Sequence, residues 1–100
     1  MSTESNNLII TTHQSLHNTR IIAVRNGENV GVLELRARTP MTWAAYRTFV
    51  DPAARGEGLA GKLYKEMVSW ATQHEFKIIP ECSYIVKKFE APDTPKEIMA

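Results

Sequence analysis

The sequence predicts an α+β domain, a mixed α/β layer in which one long helix packs on a mostly antiparallel sheet. Two β-branched and alternating segments flank Asn26-Gly27, and this dipeptide between apolar runs is typical of a β-hairpin turn. After residue 58 the apolar period changes from two to about 3.6 residues, which predicts an amphipathic helix. A glycine-rich turn over residues 55–61 joins the predicted sheet to this helix.

The predicted sheet begins with four strands, which cover residues 8–12, 20–25, 30–38 and 42–50. The third strand alternates, with Leu33 and Leu35 on one face and Glu34 between them on the other, as in a half-buried strand. Trp43 and Phe49 give the fourth strand its β-forming character, and we expect it to be antiparallel to the third.

The long helix is predicted over residues 58–74, because Leu59, Leu63 and Met67 recur every four residues while lysines occupy the opposite face. Residues 76–79 predict a strand that returns into the sheet and stops at Pro80, and residues 83–90 predict a short helix. The ends of the chain, residues 1–7 and 92–100, are expected to be loose tails around a single domain of 1–100.

The composition limits the classes of function. The chain has 100 residues, of which 43% are apolar, and its formal net charge of +1 gives no general attraction to nucleic acid or to acidic membranes. No apolar run approaches the roughly 20 residues that span a bilayer. The polar start lacks the features of a signal peptide, and one cysteine cannot form an internal disulfide. We therefore expect a cytoplasmic protein that is a monomer or a weak dimer.

The glycine-rich turn is the candidate ligand site. A strand that ends in such a turn and enters a helix directly leaves backbone N–H groups free at a positive helix end. Gly56 and Gly58 can adopt positive φ and allow close approach, so the turn suits an anion such as a pyrophosphate. The segment is neither a P-loop nor a Rossmann fingerprint, and a plain turn with glycines for tight packing is the alternative interpretation.

The motif Arg55-Gly56-Glu57-Gly58-Leu59-Ala60 resembles the Arg/Gln-x-x-Gly-x-Gly/Ala signature of the GNAT acetyltransferase superfamily. Together with Pro80-Glu-Cys-Ser-Tyr84 at this spacing, it makes residues 20–90 similar to the small GNAT-like proteins called YjdJ-type acetyltransferase domains. The resemblance implies a short GNAT-like fold and acetyl-coenzyme A (acetyl-CoA) as co-substrate. The residues that it assigns to cofactor binding are Phe49, Val50, Arg55, Gly56, Glu57, Gly58, Leu59, Ala60 and Gly61.

The activity that the resemblance implies is transfer of an acetyl group from acetyl-CoA to an unidentified amine. The strand over residues 46–50 would run beside the pantetheine arm, and one of its N–H groups would polarise the thioester carbonyl. A non-catalytic acyl-CoA-binding or regulatory module is the alternative. Two departures bear on catalysis: Arg47 stands where many relatives have histidine, and Lys88 stands where many have tyrosine.

Cys82 is the candidate catalytic residue. It precedes a predicted helix, where a thiol can gain thiolate character, and it would accept the acetyl group or lie beside it. The alternative is a small buried apolar residue, which is the usual role of a free cysteine.

Other polar residues have weaker functional interpretations. Glu34 is either a base or a solvated carboxylate. Three arginines have two interpretations. They form a basic stripe that binds phosphates or an acidic acceptor, or they belong to a solvated face of the sheet: Arg36, Arg38 and Arg47. The three histidines show no metal-ligand spacing, so no metal is expected.

Overall fold

The computed structural model describes residues 7–100 and confirms the α+β class. One sheet has the strand order β1-β2-β3-β4-β5, in which the first four strands are antiparallel and β5 is parallel to β4. The elements are β1 (Leu8–Gln14), β2 (Asn18–Arg25), β3 (Glu28–Thr39), β4 (Thr42–Val50), α1 (Leu59–His74), β5 (Lys77–Pro80) and α2 (Ser83–Phe89). Two short 3-10 turns, Pro52–Ala54 and Lys96–Ile98, complete the described chain.

The β2–β3 turn has the predicted conformation. Asn26 and Gly27 have φ values of 52° and 82°, which is the left-handed region that tight hairpin turns need. The strands are longer than predicted at several ends, because ladder hydrogen bonds continue past the last apolar residue.

The core lies between the sheet and α1. Leu63 and Met67 are fully buried there, as the helical period predicts, and Trp43 meets Trp70 edge to face with ring centroids 5.3 Å apart. The helix approaches β3 so closely at Gly31 that a Cβ atom there would lie 3.3 Å from Leu63 Cδ1. Glycine at this position therefore allows α1 to lie directly on the sheet.

The sheet divides after the first half of β4. The pairing of β4 with β5 ends at Ala45 and Pro80, and the backbone N–H groups of Glu81 and Cys82 both donate to the Ala45 carbonyl, at 2.9 and 3.1 Å. Register with β3 also shifts here, so that Tyr46 is an extra residue in a β-bulge. Beyond the bulge, β4 has β3 as its strand neighbour on one side, and a gap lies on the other side, toward α2.

The C-terminal segment corrects one prediction, because residues 92–100 are not a loose tail. Ile98 is fully buried in the core, and Thr94 is buried with its hydroxyl donating to the Lys88 carbonyl at 2.8 Å. The Ala100 N–H donates to the Ile78 carbonyl at 3.2 Å, beside an isolated parallel bridge between Ile78 and Met99. Pro92 and Pro95 limit helix formation in this segment, but they do not prevent its packing. The predicted N-terminal tail lies almost wholly outside the described residues.

Both helices lie on the same side of the sheet. The Phe89 ring of α2 packs against Tyr64 of α1 with centroids 6.4 Å apart, and Ile85 shares the core with α1. Within residues 7–100, no helix covers the other face. We call this surface the open face, and its β2–β4 part carries Arg20, Glu34, Arg36, Tyr46, Arg47 and Phe49.

Candidate functional site

The glycine-rich turn has the conformation that its sequence predicts. Asp51 follows β4, and its carboxylate accepts a hydrogen bond from the Ala53 N–H at 2.9 Å, which begins the Pro52–Ala54 turn. Gly56 and Gly58 then adopt φ values of +89° and +77°. A side chain at either position would be strained, so glycine is favoured there for the backbone path.

The start of α1 offers free donors. Its first helical bond runs from the Lys62 N–H to the Gly58 carbonyl, so the N–H groups of Leu59, Ala60 and Gly61 have no acceptor within the helix. No side chain caps this end, and its first turn contains no acidic residue. Free donors at the positive end of a 16-residue helix favour an anion.

A cleft of about 490 Å³ opens at this helix end. Seven of the nine residues predicted to bind the cofactor line it, namely Val50, Arg55, Gly56, Gly58, Leu59, Ala60 and Gly61. The other two lie elsewhere: the Glu57 carboxylate pairs with Arg25 at 2.6 Å, and Phe49 lies exposed on the open face.

Arg55 joins the cleft to the open face. Its Nε donates to the Val50 carbonyl at 3.1 Å, and its guanidinium lies 5.9 Å from the centre of the Phe49 ring. The Arg47 guanidinium lies 5.3 Å from the same ring. Phe49 therefore contacts Arg55, another residue predicted to bind the cofactor, but does not itself line the cleft.

The second half of β4 directs backbone groups into the gap. The Asp51 N–H donates to the Val30 carbonyl of β3 at 2.9 Å, and backbone groups alternate in direction along a strand. The N–H groups of Thr48 and Val50 therefore point away from β3, toward α2. They form a row of donors that leads from the gap to the cleft.

Cys82 lies at the junction of β5 and α2, on the far side of this gap. Its side chain is half-buried, and its sulfur lies 3.4 Å from the Thr48 hydroxyl. The histidines at positions 13, 17 and 74 are all exposed, and Thr48 is the hydrogen-bonding side chain that the described residues bring to this sulfur. The structure therefore brings the predicted cysteine to the gap without a histidine partner.

Tyr84 is a cleft residue that the sequence did not identify as part of the site. Its hydroxyl lies close to α1, since a Cβ atom placed on Gly61 would be 4.0 Å from it. Burial raises the pKa of Tyr84 above its ordinary value, and the charges of Tyr64 and Cys82 add to this effect. The signals in the sequence were its place at the end of the Pro80–Tyr84 motif and its position two residues after Cys82.

We predict that Tyr84 makes stability fall at alkaline pH. Because the folded chain favours the neutral phenol, the unfolded chain loses this proton first as the pH rises above about 10. The free energy of unfolding should therefore decrease more steeply in the wild type than in Tyr84→Phe between pH values of about 9 and 11. Urea unfolding of both proteins checks this, and equal slopes would contradict it.

Polar side chains of the open face pair with one another beside the bulge. Glu34 accepts hydrogen bonds from the Tyr46 hydroxyl at 3.1 Å and from Arg47 at 2.6 Å. The Arg36 guanidinium lies over the Tyr46 ring, 4.4 Å from its centre, while Arg38 pairs with Glu81. Glu34 is thus a paired carboxylate rather than a freely solvated one.

Residues 7–100 contain neither a metal-binding cluster nor a membrane-spanning helix. No group of three or more histidine, cysteine, aspartate or glutamate side chains is placed to hold a metal ion. No described helix combines the length and apolar character needed to cross a bilayer.

Solved structures of GNAT proteins share this fold. A GNAT family acetyltransferase from Elizabethkingia anophelis, solved with acetyl-CoA bound, superposes with a TM-score of 0.66 at 17% identity over 84% of this chain and 75% of its own. A ribosomal-protein-alanine N-acetyltransferase from Brucella melitensis biovar Abortus 2308 has a TM-score of 0.61 at 19% identity, over 80% of this chain and 69% of its own. The aminoglycoside acetyltransferase meta-AAC0020 from an uncultured soil metagenomic sample, in complex with sisomicin, gives 0.63 at 15% identity, over 83% and 60%.

The matched region is a smaller share of each of these proteins than of this chain, and the chain spans about half of two further acetyltransferase structures, at 53% and 49%. A sequence comparison with curated proteins found no match. The family model described as GCN5-related N-acetyl-transferase matches residues 20–97, which is most of the chain. The chain therefore belongs to the GCN5-related N-acetyltransferase family.

Proposed function

We propose that this protein binds acetyl-CoA in the cleft at the start of α1 and transfers the acetyl group to an amine. The observation that carries the proposal is the uncapped helix start, with its free N–H groups behind two positive-φ glycines. Val50, at the end of β4, and Tyr84 of α2 both line this cleft, so it borders the gap between β4 and α2. A diphosphate at the helix end and an extended arm in the gap would then form one continuous ligand.

In this proposal each part of the site has a separate role. The N–H groups of residues 59–61 and the Arg55 side chain hold the pyrophosphate. The outward N–H groups of Thr48 and Val50 pair with the pantetheine arm, and a donor of this strand stabilises the oxyanion that forms on the thioester carbonyl. Catalysis comes mainly from holding the amine and the thioester in line, since an amine nitrogen must attack as the carbon–sulfur bond breaks.

A non-catalytic acyl-CoA-binding module is the second candidate. It is favoured by Arg47 and Lys88, which occupy positions where the family resemblance would place a histidine and a tyrosine. The amine must lose a proton during transfer, and histidine and tyrosine are residue types that commonly act in such proton transfers. We further propose the YjdJ-type subgroup, from residues 80–84, and a cytoplasmic location, from the single cysteine.

Saturating acetyl-CoA is expected to raise the melting temperature. A ligand at 100 times its Kd stabilises the native state by about 2.7 kcal/mol, and each kcal/mol corresponds to roughly 4–8 °C in a domain of this size. Thermal unfolding with and without acetyl-CoA, paired with calorimetric titration, checks this. An unchanged melting temperature together with no heat of binding would contradict the proposed cofactor.

Turnover separates the two candidate functions. The full chain is incubated with acetyl-CoA and a panel of amines and peptides, and release of the CoA thiol is followed with a chromogenic disulfide. Steady release that depends on one acceptor supports the transferase. Binding of acetyl-CoA without release across the panel would favour the non-catalytic module.

We predict that Cys82 lies beside the acetyl group but is not an obligatory covalent carrier, because Thr48 rather than a histidine contacts its sulfur. Cys82→Ser keeps the size of the side chain and removes most of its nucleophilicity. It should leave acetyl-CoA binding within a few-fold of wild type and leave measurable turnover. Intact mass after incubation with acetyl-CoA checks this. A rapid stoichiometric adduct that acceptor discharges, with an inactive serine variant, would show that the cysteine carries the acetyl group.

A further inference from the structure

The open face borders the gap in which the thioester would lie. Beyond Ala45, residues 7–100 place no strand between β4 and α2, so no ladder hydrogen bonds close the gap there. On one side α1, α2 and the glycine-rich turn form the cleft. On the other side, within residues 7–100, no helix stands over β2, β3 and β4, and an acceptor can approach there.

The charges of this face are not balanced. Glu34 is engaged on its β4 side by Tyr46 and Arg47, and its side chain is only 19% exposed. Arg20 stands opposite Glu34 in the β2–β3 register, yet neither Arg20 nor Arg36 forms an ion pair with any carboxylate of residues 7–100. Both side chains are exposed, so the open face presents two guanidinium groups without an ion pair among residues 7–100, one strand and two strands away from β4.

The positions of these two arginines set the size of an anionic partner. Adjacent strands lie about 4.8 Å apart, so the Cα atoms of Arg36 on β3 and Arg20 on β2 lie roughly 5 and 10 Å from β4. The α-carboxylate of a free amino acid lies only two bonds from its amine, so it stays near β4 when the amine lies at the gap. An extended peptide advances about 3.3 Å per residue, so its second to fourth residues cover this span when its N-terminus lies at the gap.

We propose that the amine acceptor is the acidic N-terminal segment of a polypeptide, which docks on the open face with its carboxylates on Arg20 and Arg36. The inference rests on the proposed acetyl transfer for the role of the amine, whereas docking itself is independent of acetyl-CoA. Guanidinium groups suit this role because they bind carboxylates through paired N–H donors. The Tyr46 ring beneath Arg36 orients one of these groups toward the partner.

The test measures peptide binding directly. Binding is followed by the fluorescence anisotropy of two peptides, each with a free N-terminus and a label at the C-terminus. The acidic peptide carries glutamates at positions two to four, and the matched peptide carries lysines there. The double variant Arg20→Gln/Arg36→Gln removes two exposed charge contacts, so it should bind the acidic peptide about tenfold more weakly than wild type. The control Lys65→Gln/Lys87→Gln makes the same change of net charge on exposed residues of the two helices, and it should stay within about twofold of wild type.

Turnover supplies a second measurement. With the acidic peptide as acceptor, the arginine variant should show a KM raised about tenfold with kcat nearly unchanged, as expected when uniform binding is lost. The acetyl-CoA-induced shift in melting temperature should be the same in wild type and both variants, which also verifies folding.

Three outcomes would overturn the docking proposal: equal binding of the acidic peptide by wild type and the arginine variant, tighter binding of the lysine peptide, or free glutamate as effective an acceptor as the peptide. If these occur while acetyl-CoA still raises the melting temperature, the proposed function stands and only the acceptor is wrong. If acetyl-CoA has no effect, the transferase fails, and the anisotropy result alone decides whether an acidic segment docks here.

Discussion

Gly58→Val is expected to weaken acetyl-CoA binding at least tenfold, which is about 1.4 kcal/mol. Gly58 has φ +77° immediately before α1, with no heavy atom within 4 Å of the place a Cβ would take. The valine side chain would therefore enter the space in front of the helix end, where the pyrophosphate is proposed to lie. It would also shift the turn, since a left-handed backbone costs a non-glycine residue about 1–2 kcal/mol.

Gly27→Val is the matched control for this prediction. Gly27 also has positive φ, at +82°, and open space around its Cβ position, but it lies in the β2–β3 turn. Both variants should lose similar stability, while only the change at Gly58 should affect the Kd measured by calorimetric titration. If folded Gly58→Val binds acetyl-CoA as tightly as the control, the pyrophosphate site must lie elsewhere. Arg55→Ala should lose less affinity than Gly58→Val, because the backbone donors remain.

Ile98→Ala is expected to cost about 2–5 kcal/mol of unfolding free energy, which lowers the melting temperature by at least roughly 8 °C. Ile98 is fully buried with residues of α1 and β5, so truncation removes apolar contacts and leaves a cavity in the core. Because small domains have only about 5–15 kcal/mol of stability, this change approaches the limit of folding.

Met99→Ala provides the comparison for this effect. Met99 is the next residue and is 38% exposed, so its truncation should cost less than about 1 kcal/mol. Urea and thermal unfolding of both variants measure the difference. A loss at Ile98 as small as that at Met99 would mean that the C-terminal segment does not contribute to the core in solution.

The sequence predicted well those elements whose conformation is determined by residues close together in the chain. Asn26-Gly27 specifies its turn because only a few residue types accept left-handed backbone, and Gly56 and Gly58 follow the same steric rule. The repeat of Leu59, Leu63 and Met67 determines which face of α1 is buried. For the same reason the sequence identifies the glycine-rich turn as the candidate site without any long-range contact.

The C-terminal segment shows why long-range packing cannot be predicted from a local stretch of sequence. Its prolines and polar residues carry a local signal for a loop, but the burial of Ile98 depends on the space that α1 and β5 leave between them. No property of residues 92–100 alone encodes that space.

The site as a whole was also decided by tertiary structure. Cys82 meets Thr48, 34 residues earlier, because β5 returns parallel to β4 and ends at Pro80 while β4 continues past its bulge. Tyr84 enters the cleft because α2 packs beside α1. The sequence by itself determined the local backbone of the anion site and the family of the fold, since steric rules and periodicity act over a few residues. Only the sheet register and the position of α2, which depend on contacts between distant segments, determined which side chains surround the gap and which face stays open.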